Sequence, residues 1–355
     1  MLLSRFKYDG VPSWNMNVIQ RTYREKLLEK IHSGQYTLTD VRQCNCCGSE
    51  ELEVICEKDR FGLPFKMLIC RKCGLLFTSP ILSQDSISDF YDNEYHALHF
   101  GKESAEQNPH LTKSDQGVKI FEFIKNWIFL SGRKHLRIGE IGCSSGHILN
   151  DIKECCSKYG IEVKLYGCEY SHQYVEYANK RYGINVFCGG GDTFLRNNIK
   201  VDILILSHVF EHFINLREEK KIMAEIIDNN GIVYIEVPGI LDLKNKFEYD
   251  CDLLKYFTFA HIYHFSLTTL RNSLNPEFDL LEGDEYVRSI FVKNICNNGH
   301  SSHFMNDYKH IIHSLHDLEA FRTQYLANNP KRSLHYRLLR KIKRLGKILI
   351  MPFVR

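Results

Sequence analysis

The sequence predicts an α/β fold, in which a parallel sheet carries helices on both faces. From residue 118 to about residue 292, short apolar runs alternate with helix-like segments, a pattern typical of such a sheet. We take five runs as strands: 136–141, 163–168, 185–188, 201–206 and 232–237. A glycine turn follows the first run and an acid ends the second, at strand ends where this kind of fold binds its ligands.

The turn after the first strand predicts a nucleotide-cofactor site. It contains Gly142, which is able to adopt a positive φ, and Gly146, which lets the backbone come close to a ligand. Free N–H groups at the start of the next helix can hold an anionic group. Glu169 ends the second strand, where a Rossmann-like fold places its ribose-binding carboxylate. The turn and the acid together are a stronger indication than either alone.

Two cofactors fit such a site, a nicotinamide dinucleotide and S-adenosylmethionine. A dinucleotide site reads Gly-x-Gly-x-x-Gly, whereas this chain has Glu140-x-Gly142-x-Ser144-x-Gly146. The series resembles the first motif of class I S-adenosylmethionine-dependent methyltransferases. The resemblance implies that the acid and the turn hold the amino-acid end of S-adenosylmethionine and that Glu169 binds its ribose hydroxyls. The cofactor-binding residues on this interpretation are Glu140, Gly142, Cys143, Ser144, Gly146, Glu169, Tyr170, Asp192, Ser207 and His208.

The resemblance continues through roughly residues 41–270. The segment 201–213 ends in His-x-x-Glu-His and is similar to the strand-four motif of methyltransferases that modify sugars or other small hydroxylated compounds. A cysteine-rich module followed by Phe90, Tyr91 and Tyr95 resembles the N-terminal zinc domain of sugar C-methyltransferases. The resemblance therefore implies a Rossmann-like seven-stranded methyltransferase sheet with a small N-terminal zinc module and a helical C-terminal tail.

Methyl transfer from a sulfonium is an in-line displacement, so a catalytic group has to remove a proton from an oxygen or carbon nucleophile. Glu211 and His212 follow the fourth strand directly, at the edge where open α/β sheets bind ligands. We take His212 as the general base, and Glu211 as the group that orients it or acts as the base itself. His261 lies at a family-like position and is the third catalytic candidate. Each of these three residues could instead have a packing role. Tyr91 and Tyr95 could cap the cofactor or the substrate, and a purely structural role is open for them too.

The cysteine-rich module predicts a structural zinc site. Cys44 and Cys47 form one Cys-x-x-Cys pair, Cys70 and Cys73 form a second after 22 residues, and a glycine follows each pair. The total of thirteen cysteines is odd, and the clustered ones have metal spacing, which favours reduced thiols over a disulfide framework. Four sulfurs complete a closed tetrahedral zinc site that leaves no position for substrate. Cys46 falls outside the better spacing and is taken as a non-ligand.

We divide the chain into an N-terminal extension (1–40), a zinc-binding module (41–80), a helical linker (81–117), the S-adenosylmethionine-dependent methyltransferase domain (118–295) and a helical C-terminal region (296–355). The extension has a helical pattern around residues 18–33, and the linker has one around 82–100.

Charge is distributed unevenly along the chain. The last 25 residues contain nine Lys or Arg and no Asp or Glu, so the first 330 residues carry a net charge of −6 within the total of +3. An acidic body disfavours nucleic acid as a partner. Residues 331–349 predict a basic amphipathic helix, which suits peripheral contact with an anionic membrane or packing on its own domain. RNA contact is a third interpretation, which is disfavoured because Tyr336 is the one stacking aromatic residue among these basic residues.

The start of the chain lacks an apolar signal core, and no uncharged run approaches the roughly 18 residues needed to span a bilayer. We therefore expect a cytoplasmic protein, with peripheral contact at the inner membrane face through the tail. The expected activity is methyl transfer to a hydroxyl or carbon of a nucleotide-linked sugar or glycan, as in polysaccharide biosynthesis. An RNA methyltransferase and a non-catalytic cofactor-binding scaffold are the alternatives. The acidic body and the lack of an Asn/Asp-Pro-Pro-Tyr motif after the fourth strand count against RNA.

Overall fold

The computed structural model describes residues 3–102, 114–294 and 304–328. Its N-terminal elements are α1 (Val18–His32), β1 (Leu38–Thr39), β2 (Leu52–Cys56), β3 (Lys66–Cys70), β4 (Leu76–Ser79), β5 (Ile81–Leu82), α2 (Gln84–Phe90), a π-helical turn (Tyr91–Tyr95) and α3 (His96–Phe100). A capping box starts α1, because the side chains of Asn17 and Gln20 each accept a hydrogen bond from the other residue's backbone N–H. The helical patterns expected around residues 18–33 and 82–100 are confirmed.

The remaining elements are α4 (Gln116–Leu130), β6 (His135–Ile141), α5 (His147–Ser157), β7 (Glu162–Glu169), α6 (His172–Tyr182), β8 (Asn185–Cys188), α7 (Asp192–Arg196), β9 (Val201–Ser207), α8 (Leu216–Ile226), β10 (Ile227–Glu236), α9 (Leu253–Tyr256), β11 (Tyr263–His264), α10 (Leu267–Leu274), β12 (Phe278–Gly283), β13 (Arg288–Lys293) and α11 (Tyr308–Asn328). All five runs taken as strands are strands.

The main sheet has seven strands in the order β12-β13-β10-β9-β6-β7-β8. Strand β13 runs antiparallel to both of its neighbours, and the other pairs are parallel. The predicted seven-stranded α/β sheet is therefore confirmed. The carboxyl ends of β6, β7 and β9 lie side by side at one edge of the sheet, and most of the residues predicted for the site lie at these ends or just after them.

The sheet lies between two layers of helices. Side chains alternate along each central strand, so that in β9 Ile203 and Ile205 join one apolar cluster while Leu204 and Leu206 join the other. Helices α4, α5 and α6 cover the first face, and α7, α8 and α10 cover the second. The central strands are buried on both faces, which explains their continuous apolar sequences.

A second sheet connects the cysteine-rich module to the main domain. Its order is β11-β4-β3-β2, and each pair is antiparallel. In the pairing of β4 with β11, Tyr263 lies opposite Phe77 and His264 lies opposite Leu76. This pairing holds the segment after β10 against the module.

The two ends of the described chain also pack on this module. In one apolar cluster, Phe6 and Ile55 pack with Ile311 and other α11 residues. Arg5 donates hydrogen bonds to the carboxylates of both Asp252 and Glu319. Residues 3–6 and α11 thus share a core with segments far from them in sequence. The predicted basic tail, 331–349, lies outside the described residues. None of the helices in the described ranges has the length and apolar character that crossing a bilayer requires.

Candidate functional site

The turn between β6 and α5 contains three residues with left-handed backbone angles: Gly142 (φ 67°), Ser144 (φ 46°) and Gly146 (φ 75°). A Cβ atom at Gly142 would lie 2.6 Å from Cγ2 of Val209, so packing as well as φ requires glycine there. Ser144 stands where the first motif of the resembling family has its middle glycine. A left-handed backbone at a residue other than glycine costs about 1–3 kcal/mol. The N–H of Ser144 donates a hydrogen bond to Glu169 Oε2 at 3.0 Å, which offsets that cost.

Glu169 links the ends of β6 and β7. Its Oε2 accepts from the N–H of Ser144 and its Oε1 accepts from the N–H of Ser171, each at 3.0 Å. Burial raises the pKa of Glu169, although the two backbone N–H groups oppose the rise. Each carboxylate oxygen keeps a second lone pair. The carboxylate is therefore fixed in position and still able to accept hydrogen bonds from neighbouring hydroxyls, as on a ribose.

Glu140 is a buried acid near the end of β6. It is 1% exposed, and within the described residues its Oε2 has no hydrogen-bond partner. Burial, and then the charge of Glu169, raise the pKa of Glu140 well above its usual range. Such a carboxylate is unfavourable until a cation or a donor approaches it. S-adenosylmethionine carries a sulfonium and an ammonium group, so Glu140 and Glu169 are suited to hold it.

Four other predicted cofactor residues lie around the same edge. The side chain of Cys143 faces the core, where a Cβ on Gly167 would come within 2.6 Å of its Sγ, so this position offers a ligand its backbone. Tyr170 is 52% exposed. Asp192 begins α7 and forms an ion pair with Arg196 at 2.9 Å. The fourth, Ser207, is the last residue of β9.

His208 follows β9 with a left-handed backbone (φ 56°), and its N–H donates to the carbonyl oxygen of Glu236. Its Nδ1 lies 3.7 Å from Glu211 Oε1, and its Nε2 lies 3.9 Å from Glu236 Oε1. Partial desolvation lowers the pKa of His208, whose side chain is still 49% exposed, but the two carboxylates outweigh it and the net shift is upward. His208 is therefore suited to carry a positive charge beside Glu211.

His212 is held by its Nδ1 atom, which lies 2.7 Å from the carbonyl oxygen of Ala260 and 3.0 Å from Oη of Tyr91. Because a carbonyl oxygen only accepts, we assign the ring proton to Nδ1. The lone pair is then on Nε2, which lies 3.8 Å from Oε1 of Glu211. Burial lowers the pKa of His212, while Glu211 and Ala260 act in the opposite direction. His212 is a neutral base with its acceptor nitrogen beside a carboxylate.

Glu211 and His261 complete the predicted catalytic group. Glu211 is 1% exposed, and neither of its oxygens has a hydrogen-bond partner among the described residues. The ring of His261 lies 5.0 Å from that of His212, and its buried Nδ1 also lacks a partner there. Burial lowers the pKa of His261 well below its usual range. Ligand atoms of Glu211, His212 and His261 lie within 4.8 Å of one another, so the same three groups are also close enough to hold a cation.

The helical linker covers this group from the N-terminal side. Tyr91 and Tyr95 belong to the π-helical turn, and their rings pack edge-on against His212 at 6.0 and 5.9 Å. A π-helical turn inside a helix is often found at functional sites. The structure thus brings together all three catalytic candidates and both tyrosines.

Sequence reasoning missed several charged or titratable residues of the same region. Arg60 and Lys246 are 4% and 6% exposed, and neither has metal, repeat or motif spacing. Nδ1 of His99 lies 3.0 Å from Nη2 of Arg60, and His264 is 1% exposed. Their position depends on the pairing of β4 with β11, a long-range contact that has no local sequence pattern.

The four predicted zinc ligands converge. Cys44 Sγ lies 3.5 Å from Cys73 Sγ, Cys47 Sγ lies 3.5 Å from Cys70 Sγ, and all four sulfurs lie within 4.8 Å of one another. A tetrahedral site with Zn–S bonds of about 2.3 Å places its sulfurs about 3.8 Å apart. The cluster fits zinc, and Cys46 is not among the four.

Each cysteine pair forms the same turn. The N–H of Gly48 donates to the carbonyl oxygen of Cys44, and the N–H of Gly74 donates to that of Cys70, at 2.7 and 2.8 Å. Both glycines have positive φ angles, of 73° and 85°. The trailing glycine therefore serves the turn geometry that aims the two sulfurs at one point.

No protein-family model and no curated protein matches the chain. Solved structures match at low identity. The plantazolicin methyltransferase BpumL in complex with SAH is 16% identical over 68% of this chain and 85% of that chain, with a TM-score of 0.39. The PH0226 protein from Pyrococcus horikoshii OT3 is 12% identical over 54% and 99%, with a TM-score of 0.41. The cyclopropane synthase MmaA2 from Mycobacterium tuberculosis is 15% identical over 49% and 66%, with a TM-score of 0.34. At these scores the likeness assigns no activity to this chain.

Proposed function

We propose that this chain is a class I S-adenosylmethionine-dependent methyltransferase that acts on a hydroxyl or carbon of a nucleotide-linked sugar or glycan. The observation that carries the proposal is the pair Glu140 and Glu169 at the glycine turn. Glu140 is buried and Glu169 is half-buried, and neither forms an ion pair with a cation among the described residues. This pair of acids fits a cationic cofactor, and both stand on the seven-stranded sheet expected of this family. A dinucleotide, which brings a pyrophosphate, would add negative charge to this site.

The residues beyond the cofactor turn suit proton removal. When bound, S-adenosylmethionine supplies an electrophilic methyl group on its sulfonium. The Nε2 atom of His212 would take the proton of the acceptor O–H or C–H, while the acceptor gains the methyl group and the methyl–sulfur bond breaks to leave S-adenosylhomocysteine. Glu211, 3.8 Å from Nε2, stabilises the imidazolium that results. His261 lies beside both and is placed to donate or accept a hydrogen bond to the acceptor.

The unpaired polar groups around His212 support a polar acceptor. Both nitrogens of His264, Oγ1 of Thr258 and Nε of Arg60 are buried and lack hydrogen-bond partners within the described ranges. Buried polar groups are normally satisfied, so a ligand rich in hydroxyls would complete them. A sugar meets this requirement, and an apolar acceptor does not.

The zinc module has a structural part in this proposal. Zinc at Cys44, Cys47, Cys70 and Cys73 would hold together the sheet that pairs with β11 and thereby positions the segment containing His261. The proposed contact of residues 331–349 with an anionic membrane falls outside the described residues. Co-sedimentation with phosphatidylserine vesicles, compared with phosphatidylcholine vesicles, tests it.

Calorimetric titration of the zinc-loaded chain with S-adenosylhomocysteine, beside NAD, tests the cofactor assignment. We expect saturable binding of S-adenosylhomocysteine alone, which Glu169→Ala abolishes. Glu162→Ala is the matched control, because Glu162 starts the same strand and its side chain is 81% exposed. Failure of the homocysteine compound to bind would overturn the proposal, and binding of NAD would refute our interpretation of the turn.

A methyl-transfer assay distinguishes an enzyme from a non-catalytic scaffold protein. Transfer of a labelled methyl group to a panel of nucleotide-linked sugars should be lost when Glu211→Gln and His212→Asn are combined, while S-adenosylhomocysteine still binds. Transfer to RNA in place of the sugars would establish the RNA alternative. Unchanged turnover in the double variant would remove the catalytic role of both residues.

A further inference from the structure

Arg60 is a buried cation that forms no ion pair with a carboxylate of the described residues. The residue is 4% exposed, and within residues 3–102, 114–294 and 304–328 no carboxylate forms an ion pair with its guanidinium. Its Nε has no hydrogen-bond partner there, and its Nη2 donates to Nδ1 of His99 at 3.0 Å. The rings of Trp14 and Phe61 lie 5.1 and 4.9 Å from its Cζ atom. The guanidinium is therefore enclosed by aromatic and neutral groups.

The backbone fixes Arg60 in place. Its N–H donates to the carbonyl oxygen of Phe257 at 2.8 Å, and its own carbonyl oxygen accepts from the N–H groups of Ser13 and Trp14 at 3.0 Å each. These bonds join Arg60 to the segment that leads to His261. The side chain is thus presented from a rigid position and not from a free loop.

The adjacent carboxylate, Asp59, is occupied elsewhere. Its Oδ1 accepts from the N–H groups of Phe61 and Leu63 at 2.9 Å each, and its Oδ2 accepts from the N–H of Phe259 at 3.3 Å. Asp59 therefore shapes the loop around Arg60, and it attracts the guanidinium without touching it.

A second buried cation, Lys246, acts on the same region. It is 6% exposed, its Nζ donates to the carbonyl oxygen of Gly239 at 3.0 Å, and it lies 5.2 Å from the ring centroids of Tyr256 and Tyr286. Among the described residues no carboxylate is within ion-pair distance, although Asp242, Glu248, Glu236 and Glu211 act on it from farther away.

His264 stands between these cations and the catalytic group. Its ring lies 5.3 Å from Tyr256 and 5.7 Å from His261, and both of its nitrogens lack partners within the described chain. Burial, then Lys246 and Arg60, lower the pKa of His264 to about 3, so the ring is neutral and offers one N–H. From Arg60 a continuous series of His99, His261 and His212 leads to the proposed base.

We infer that Arg60 binds an anionic group of the methyl acceptor, a phosphate or a carboxylate, beside His264 and in the field of Lys246. A buried guanidinium without a counter-ion is unfavourable in the free protein, and an oxyanion provides the paired hydrogen bonds that suit its planar fork. The inference rests on the proposed methyltransferase function and narrows its substrate class to anionic acceptors. The phosphate of a nucleotide-linked sugar and the carboxylate of an acidic sugar are the two sources of this chemistry.

The test is calorimetric titration of the full zinc-loaded chain, saturated with S-adenosylhomocysteine, at fixed ionic strength. Inorganic pyrophosphate is the probe in one arm and glucuronate in the other. We expect saturable binding of one anion, weakened at least about tenfold in Arg60→Gln, since charge-assisted hydrogen bonds are lost. Tighter binding of pyrophosphate supports the site with phosphate as the source, and tighter binding of glucuronate supports it with a sugar carboxylate.

Arg71→Gln is the matched control, because Arg71 belongs to the same module but its side chain is 56% exposed. The affinity of Arg71→Gln for the anion should equal that of the wild type. An equal loss of affinity in Arg71→Gln and Arg60→Gln would refute the proposed anion site. Arg60→Lys keeps the positive charge but lacks the planar guanidinium, so it should lose less anion affinity than Arg60→Gln. It is the variant to measure if Arg60→Gln does not fold with a full zinc content. If S-adenosylhomocysteine binds and neither anion does, the anion site is refuted and the proposed function stands. If S-adenosylhomocysteine does not bind, the proposed function is refuted, and the acceptor site that rests on it is refuted with it.

Discussion

The Nδ1 atom of His212 lies 2.7 Å from the carbonyl oxygen of Ala260. This hydrogen bond connects the end of β9 to the segment that pairs with the cysteine-rich module, so it joins both sheets at the candidate site. It also fixes the tautomer, because the carbonyl requires a proton on Nδ1 and leaves the lone pair on Nε2. The ring is therefore oriented as a base before any ligand binds.

His212→Asn should lower kcat by about 10²- to 10⁴-fold, because the variant loses the proton acceptor. Binding of S-adenosylhomocysteine should be unchanged, since the glycine turn is separate. His316→Asn, at an exposed position of α11, is the control and should keep full activity. A kcat within about tenfold of the wild type would contradict the assignment of His212 as the base.

Tyr91→Phe should have a smaller effect. The variant removes the hydroxyl that lies 3.0 Å from Nδ1 of His212, but the bond to Ala260 remains. One neutral hydrogen bond contributes about 0.5–1.5 kcal/mol, so we expect kcat to fall about two- to tenfold. Tyr159→Phe changes a 51% exposed tyrosine and should have no effect. A loss as large as that of His212→Asn would show that Tyr91 itself transfers the proton.

The pH profile should report the environment of His212. Burial lowers its pKa, and the base works in its neutral form, so the acid limb of log kcat/KM should have its midpoint below the ordinary histidine value of about 6.5. The carboxylate of Glu211 raises this pKa, so Glu211→Gln should move the midpoint further down. Glu225→Gln, at an exposed position of α8, should leave it in place. An upward movement in Glu211→Gln would have the wrong sign for this account.

The central strands could be predicted because burial on both faces makes them continuous apolar runs. Strands β12 and β13 escaped prediction. Strand β12 lies at the edge of the sheet, and β13, between β12 and β10, has a short apolar run flanked by Arg288 and Lys293. In strand β12, Phe-Asp-Leu-Leu-Glu-Gly, five of the six residues are at least partly exposed, and charged residues interrupt the apolar ones. Neither the antiparallel direction of β13 nor the pairing of β4 with β11 has a local sequence signal, because both depend on long-range contacts.

The same distinction holds for the site. Glu140 lies near the carboxyl end of the first predicted strand, Glu169 lies at the end of the second, and Glu211 and His212 follow the fourth, so their convergence could be expected from the topology. Arg60 comes from a loop of the cysteine-rich module, where a lysine, an aspartate and an arginine read as a solvated turn. Its burial results from contacts with segments about 200 residues away, such as Phe257. The burial of a charged loop residue such as Arg60 indicates a function, and this burial cannot be predicted from composition or residue spacing.

Glu140→Gln should stabilise the free protein and weaken cofactor binding. Burial and the charge of Glu169 disfavour the Glu140 carboxylate, so a neutral amide should raise the free energy of unfolding by about 1–3 kcal/mol. The affinity for S-adenosylmethionine should fall at least about tenfold, because one acid facing its cationic groups is lost. Urea denaturation and calorimetry measure the two effects. A variant that is less stable and binds S-adenosylmethionine normally would show that Glu140 has a structural role only.

Cys73→Ser should abolish zinc binding and destabilise both sheets. Cys73 is fully buried, and its carbonyl oxygen accepts from the N–H of Asp307 at 3.3 Å, just before α11. Structural zinc contributes about 10–16 kcal/mol in isolated zinc fingers, which is comparable to the whole stability of a domain. We expect one zinc per wild-type chain by elemental analysis, none in Cys73→Ser, and loss of a cooperative thermal transition in that variant. Cys188→Ser, at an exposed cysteine, should keep both zinc and the transition. A full zinc content in Cys73→Ser would exclude the four-sulfur site, and a second zinc that disappears in Glu211→Gln would show that the catalytic group holds metal.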